Sequence, residues 1–383
     1  MPRKKEGRAA QGAGTIRQRA NGSWEARYTL GRDPATGKQI QKSVYGKSQA
    51  EVRRKLAQIT VEIDGGTYQD PSRLKVGEWL DIWQSDYLGG VKDSTKHEYA
   101  QVLRSHIIPA LGGAQLSKIQ PHHVQKLYNQ LCEKLTAKTV KNIHGVFHKA
   151  MAQAVTLGYI KSNPTDLCTL PKVERFEISP LDKEQIPAFI AACPLDRYGQ
   201  LIKLVLFTGF RLSEVIGLTW DCVDFEKGTI RAYRQFQRFE GAYTWGSLKN
   251  GKPRMITASN YVMAILKDVR TNQLEERLAA GSAWQNPDDF IFTHADGRHL
   301  SHSVVRRHFK DVAQAIGMPA LRFHDLRHSF AVVSLQAGDD IKTVQENLGH
   351  HSAAFTLDTY AHVTEAMKKE SAKRMDAFIQ DTL

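Results

Sequence analysis

Cysteine is scarce in this sequence. Four occur in 383 residues, at Cys132, Cys168, Cys193 and Cys222, and no two form a Cys-x-x-Cys pair. That spacing fits neither a zinc cluster nor a disulfide framework. It fits small core residues in a reducing cytoplasm, the expected location of the chain. Long apolar runs are missing too, since no stretch of about 18 apolar residues is present to cross a bilayer. The start, MPRKKEGRAAQGAG, is basic and has no apolar segment of the secretory-signal kind. Neither Gly-x-x-x-x-Gly-Lys-Ser/Thr nor Gly-x-Gly-x-x-Gly occurs, so nothing implies ATP or a dinucleotide, and no cofactor is expected. Internal repeats are absent as well.

Acidic residues are in deficit. Lys plus Arg number 53 against 40 Asp plus Glu, a net charge of +13. Residues 1–66 hold 14 Lys/Arg and 6 Asp/Glu, a local net of +8 and more than half of the excess. Such a balance points to a polyanionic partner, with nucleic acid ahead of a membrane surface. A hydrophobic content of 41% and a charged content of 24% are those of an ordinary soluble globular protein. The length suggests two or three domains.

Residues 1–14 are basic and rich in Gly and Ala, and are expected to be a disordered tail. Residues 15–66 read as a small three-stranded sheet backed by a helix. TIRQR and SWEARYTL flank Asn21-Gly22, a tight-turn pair, and QIQKSVYG follows a second turn, DPATGK. Trp24, Ala26, Tyr28 and Leu30 alternate with Glu25, Arg27 and Thr29, so the two sets face opposite sides. Ser48 followed by Glu51 is a capping-box pattern, and Val52, Leu56, Ile59 and Ile63 recur at helical spacing. With the apolar face on that helix, Arg17, Arg19 and Arg27 fall on the open face. A sheet presenting arginines fits a DNA major groove, although a merely solvated face fits equally well.

Residues 72–166 read as all-helical. Val76, Trp79, Leu80, Trp83 and Tyr87 form one stripe. Ser94 caps a helix expected to end before Pro109, and Pro121 opens a third. A long fourth, Thr136 to Ile160, buries Val140, Ile143, Val146, Phe147 and Ala150. Its other face carries Lys138, Lys141, His144, His148 and Lys149, a charge run suited to solvent or to phosphates. Beyond Asn163-Pro164 and Pro171, residues 175–383 mix helices around 182–193, 200–207, 213–218 and 261–278 with strand signals at 229–233 and 249–256. The fold class is multidomain α+β.

Four short stretches in this last part stand out. TGFRLSEVIGL places Arg211 between a small turn and a helix. SLKNGKPRMI sets Lys249 just ahead of Asn250-Gly251, read as a hairpin turn. HDLRHS holds His324 and Arg327 one helical turn apart. LGHHSAAFTLDTY holds His350 and Tyr360, the latter among small and polar neighbours rather than in an apolar run. Each alone has a plain explanation. His324 and His328 at i, i+4 could even suggest zinc, but no Glu sits between them as in His-Glu-x-x-His, and no metal is expected.

Together the four stretches resemble the tyrosine recombinase family, the phage integrases, in both order and spacing. The likeness is dense from about residue 175 onward. The sheet-plus-helix segment looks like the arm-binding domain of conjugative-transposon and phage integrases, and residues 72–166 look like their helical core-binding domain. The likeness implies a DNA strand transferase. In it Arg211 and Arg327 hold the phosphate, and Tyr360 attacks it to form a 3′-phosphotyrosine. His324 accepts or relays the proton, Lys249 protonates the leaving 5′ oxygen, and His350 donates to the phosphate. Glu214 is a supporting residue that orients the site. Lys249 is preferred to Lys252 because the family's lysine precedes the turn, with an arginine, here Arg254, following. His350 is preferred to His351 by the Leu-Gly-His pattern. The covalent bond conserves the energy of the broken phosphodiester, so neither ATP nor metal is implied. Implied partners are double-stranded DNA of core and arm type, a homotetramer on that DNA, and an excisionase or DNA-bending protein. Two other readings share these residues: a type IB topoisomerase, and a DNA-binding regulator with an inactive site.

Overall fold

The computed structural model describes residues 15–32, 36–65, 73–174, 180–249, 251–349, 372 and 375–382. The expected tail, residues 1–14, lies outside them, as do His350, His351 and Tyr360. The fold is mixed α+β, and the chain divides into two compact units, Met1–Glu174 and Arg175–Leu383.

The first unit opens with an antiparallel sheet of β1 (Thr15–Gln18), β2 (Trp24–Arg32) and β3 (Gln39–Gly46), in that order. Asn21-Gly22 does lie in the β1–β2 turn, where Gly22 takes a positive φ of 81° that a side chain would resist. The helix α1 (Gln49–Asp64) covers the face of Ala26 and Tyr28 with Val52 and Leu56. Ser48 accepts the Glu51 N–H at 3.2 Å, while the Glu51 carboxylate turns back to the Lys47 N–H at 2.9 Å. The cap is therefore one residue wider than the simple capping box.

Helices follow: α2 (Val76–Asp86), α3 (Asp93–Val102), α4 (Ile108–Leu111), α5 (Pro121–Cys132) and α6 (Ala137–Thr156). Trp79, Leu80, Leu103, Tyr128, Val140 and Phe147 form their shared core. One expectation fails here. The helix that begins near Ser94 does not stop before Pro109; it widens into a π turn at Leu103–Ile107 and runs on as α4. The Ile108 N–H bonds the Leu103 carbonyl, five residues back. That register opens room for the proline ring, which brings no N–H of its own. On α6, His144 contacts the Tyr128 hydroxyl at 3.1 Å and His148 the Asp166 carboxylate at 2.9 Å. Part of its polar face is thus used within the unit rather than left to solvent.

The second unit packs α7 (Gln185–Ala192), α8 (Arg197–Thr208), α9 (Leu212–Ile216), α10 (Asn260–Ala280), α11 (His302–Ala315) and the start of α12 (Asp325–Ala337) around a core that includes Phe189, Val205, Phe292 and Phe309, while the rest of α12 and α13 (Ile341–Leu348) share a smaller cluster of Ala331, Val332, Leu335, Val344 and Leu348. The strands β4 (Val223–Asp224), β5 (Thr229–Ala232) and β8 (Arg254–Thr257) form one antiparallel sheet, and β6 (Arg234–Phe239) pairs with β7 (Ala242–Ser247) in another. The segment after β7 that leads into β8 therefore joins strands of two different sheets, and among the described residues no β7–β8 pairing forms a hairpin there, contrary to the sequence reading. The hairpin in this region is β6–β7, turned by Glu240 and Gly241, both at positive φ.

Candidate active site

α8 ends at Gly209, whose φ of +63° favours glycine. A Cβ there would also lie 2.7 Å from both Leu348 and Phe330. The chain turns sharply, buries Phe210, and presents Arg211 as the residue capping α9. Glu214, only 1% exposed, lies beneath that turn. Its carboxylate accepts the Arg211 backbone N–H at 2.9 Å and the Arg211 Nη1 at 2.7 Å. From β8, Arg254 adds Nη2 at 2.6 Å and Nη1 at 3.1 Å. Burial alone would raise this carboxyl; the hydrogen bonds and charge of Arg254, with Arg211 behind them, hold it down at about 2. A buried carboxylate with four donors is satisfied, and it stays charged at neutral pH.

Arg254 also reaches the end of α13, where its Nε donates to the Asn347 carbonyl at 2.8 Å. Arg327, on α12 and 2% exposed, grips the neighbouring carbonyl, that of Leu348, through Nη2. Its Nη1 donates to the Gly209 carbonyl at 2.7 Å. The two arginines thus fix the last turn of α13, immediately before Gly349 and the undescribed stretch with His350 and Tyr360. Arg327 also ties that turn to the segment that carries Arg211.

His324 caps the start of α12. Its ring meets that of His328 edge-on at 5.3 Å between centroids. One edge is open to solvent, but the packing around the rest of the ring pushes its pKa down to about 4, helped by the positive charge of His328, Arg327 and Arg211. The ring is therefore neutral at neutral pH and able to accept a proton. Beside it opens a hollow of about 700 Å³ whose walls include Arg306, Arg307, Lys310 and Arg322.

The described contacts gather Arg211, Glu214, Arg254, Arg327 and His324. Lys249 stands exposed on the turn Leu248–Gly251, ahead of β8. Arg254 is what the sequence reading missed. It served there only to mark the lysine, whereas in the fold it is the second partner of Glu214. An arginine in a strand separated from Lys249 by a Gly-containing turn was the available signal.

In the first unit, Arg17 and Arg27 do share the open sheet face, but Glu25 lies between them and binds both, at 2.7 and 3.2 Å. Arg19 lies over the Tyr45 ring, 5.3 Å from its centroid.

Residues 180–367 match the phage integrase family, and residues 75–132 match its N-terminal SAM-like domain. The chain belongs to the phage integrase family, the tyrosine recombinases. It is 28% identical to a tyrosine recombinase XerC-like protein of Caldanaerobacter subterraneus subsp. tengcongensis, over 92% of this chain and 95% of that one. It is 23% identical to the ICEBs1 integrase of Bacillus subtilis, over 94% and 99% respectively. The fold is similar to that of the Tn1549 transposon integrase in complex with a circular intermediate DNA, with a TM-score of 0.68, 22% identity, and 79% of this chain and 99% of that one covered. A lambda integrase dimer bound to a core site gives a TM-score of 0.56 at 19% identity, over 90% of this chain and 93% of that one.

Proposed function

We propose that this chain is the integrase of a mobile genetic element, a site-specific recombinase that cuts and rejoins DNA through a 3′-phosphotyrosine on Tyr360, without ATP or metal. One observation carries the reading: Arg327 bonds the Gly209 carbonyl, two residues before Arg211, so two guanidiniums from distant motifs belong to one site. A phosphodiester under attack gathers charge on its non-bridging oxygens. Planar guanidinium forks stay charged and suit those oxygens. Preorganised donors of this kind are worth about 3–4 kcal/mol each in the transition state.

Tyr360 supplies the nucleophile. A phenol with an ordinary pKa near 10 must lose its proton as it attacks. His324, neutral and beside the arginines, is the acceptor. Lys249 protonates the departing 5′ oxygen, and His350 donates to the phosphate. A 5′-hydroxyl from another strand then reseals the bond by the reverse steps.

Residues 15–66 serve as an arm-type DNA-binding domain, with Arg17, Arg19 and Arg27 facing DNA. Residues 72–166 hold core-type DNA, residues 175–383 carry the chemistry, and residues 1–14 are a basic tail. The protein works in the cytoplasm on the nucleoid as a homotetramer, in the manner of the lambda integrase tetramer bound to a Holliday junction, with an excisionase or DNA-bending protein as accessory. The ICEBs1 and Tn1549 relatives support a mobile-element origin.

The test is to recover DNA joined covalently to the chain in cells carrying candidate attachment sites. The wild type should yield adducts at one sequence, and Tyr360→Phe should yield none while still binding that DNA. No adduct from the wild type would end the catalytic reading and leave a DNA-binding regulator. Relaxation of a two-site plasmid without strand exchange would point instead to a topoisomerase.

A further inference from the structure

The open face of the N-terminal sheet carries an acidic residue at its centre. Pairing sets Arg17 opposite Glu25 and Glu25 opposite Tyr45, with Thr15, Arg27 and Ser43 in the next row of the same face. Glu25 is only 3% exposed, whereas the side chains of Arg17 and Arg27 are about half exposed. Its Oε2 accepts Arg17 Nε at 2.8 Å and Nη2 at 2.7 Å, and its Oε1 accepts Ser43 Oγ at 2.8 Å and Arg27 Nε at 3.2 Å. The carboxylate takes donors from both neighbouring strands and from its own. A face built only to attract phosphates gains nothing from a fixed negative charge at its centre, because that charge weakens the attraction.

We propose that Glu25 is a positioning residue that locks Arg17 and Arg27 into one geometry, so that this face reads guanine-containing base pairs in a DNA major groove rather than phosphates alone. The proposal rests on the reading of residues 15–66 as a DNA-binding domain. Arg17 meets the carboxylate through Nε and Nη2 and Arg27 through Nε, which leaves Arg17 Nη1 and both Arg27 Nη nitrogens outside those bonds. An arginine with such donors matches the O6 and N7 acceptors of guanine. Arg17 and Arg27 are diagonal neighbours across β1 and β2, a separation of about 7–8 Å, or about two base steps of roughly 3.4 Å. Held arginines lose little further freedom on docking and tolerate little change in base position. Loose ones would follow the backbone of any sequence.

The experiment uses the full chain. A duplex is selected from a random library with the wild type, and affinities for it and for an unrelated duplex are measured over a salt series. Glu25→Gln should lower the ratio of selected to unrelated affinity by about 10–100-fold, the scale of one or two bidentate base contacts. Affinity for the unrelated duplex should hold or rise, since a negative charge has gone. Ser43→Ala keeps the carboxylate but removes one of its donors, and should lower the ratio in the same direction by less. An unchanged ratio, or a parallel fall on both duplexes in both variants, overturns the role of Glu25 alone. A wild type that enriches no sequence, or whose binding Arg17→Ala leaves untouched, overturns the DNA-facing reading of the sheet and the proposal with it.

Discussion

Glu25 and Glu214 are the same device built twice. Each is a carboxylate shielded from solvent between two arginines, and each is held at about 2, well below the ordinary value of 4.5. Their arginines differ. Arg254 is anchored again on the Asn347 carbonyl, and its side chain is 8% exposed. Arg211 is 20% exposed and held both by its side chain and through its backbone N–H. Arg17 and Arg27 have about half their surface in solvent. Around Glu214 the ion pairs are part of the core, and only one guanidinium is partly presented to solvent. Around Glu25 the ion pairs shape a surface. The difference lies in what surrounds the pair, since water screens the outer cluster and not the inner one.

The comparison can be broken first by stability. Glu214→Gln should cost about 3–5 kcal/mol, because it leaves two guanidiniums facing a neutral amide in the interior, whereas Glu25→Gln should barely move the thermal midpoint. Denaturant unfolding of both variants checks this. The pH dependence has a definite sign. A carboxyl whose folded pKa is depressed contributes stability above about 4.5, and that contribution is lost as pH falls through about 2. Glu214→Gln should therefore flatten the acid limb of the stability curve.

The next effect is on rate. Arg211→Ala should slow strand cleavage by about 10²–10³-fold with DNA binding nearly intact. Arg17→Ala should weaken DNA binding and leave the cleavage rate of saturated complexes unchanged. If the two variants behaved alike, the two clusters would not have separate tasks. The smallest effect is a titration. The His324 ring should change charge near pH 4 rather than near 6.5 in the DNA-free protein, as ring-proton NMR would read. Because its folded value is depressed, the neutral ring favours folding, and that contribution is lost as pH falls from 6.5 toward 4.

Much of this was legible in the sequence, and the misses have physical causes. β1 to β3 and α1 announce themselves through alternation, Asn21-Gly22 and Ser48, all local signals. The helical stripe of Val140, Ile143, Phe147 and Ala150 likewise marks α6. Pro109 misled, because a proline stops a helix only where the preceding turn cannot widen, and here it does. β6 and β7 escaped because their turn is Glu240-Gly241, a pair less distinctive than Asn-Gly. At the site, Arg211, Glu214, His324 and Arg327 are singled out by the resemblance of their motifs to the family, since each motif alone has a plain explanation. The second bond of Glu214 could not be found that way, since Arg254 lies 40 residues away and only the fold brings them together.

Arg327 has a consequence for descent. Its guanidinium bridges the carbonyls of Gly209 and Leu348 from a buried position, so it joins three segments whatever part it takes in the reaction. Loss of Tyr360 removes one hydroxyl and leaves those joints whole. Loss of Arg327 leaves buried carbonyls without a donor, at about 1–3 kcal/mol each. A lineage that drifts from cutting DNA to merely occupying it can therefore discard its tyrosine early. It must keep this arginine long after the reaction is gone.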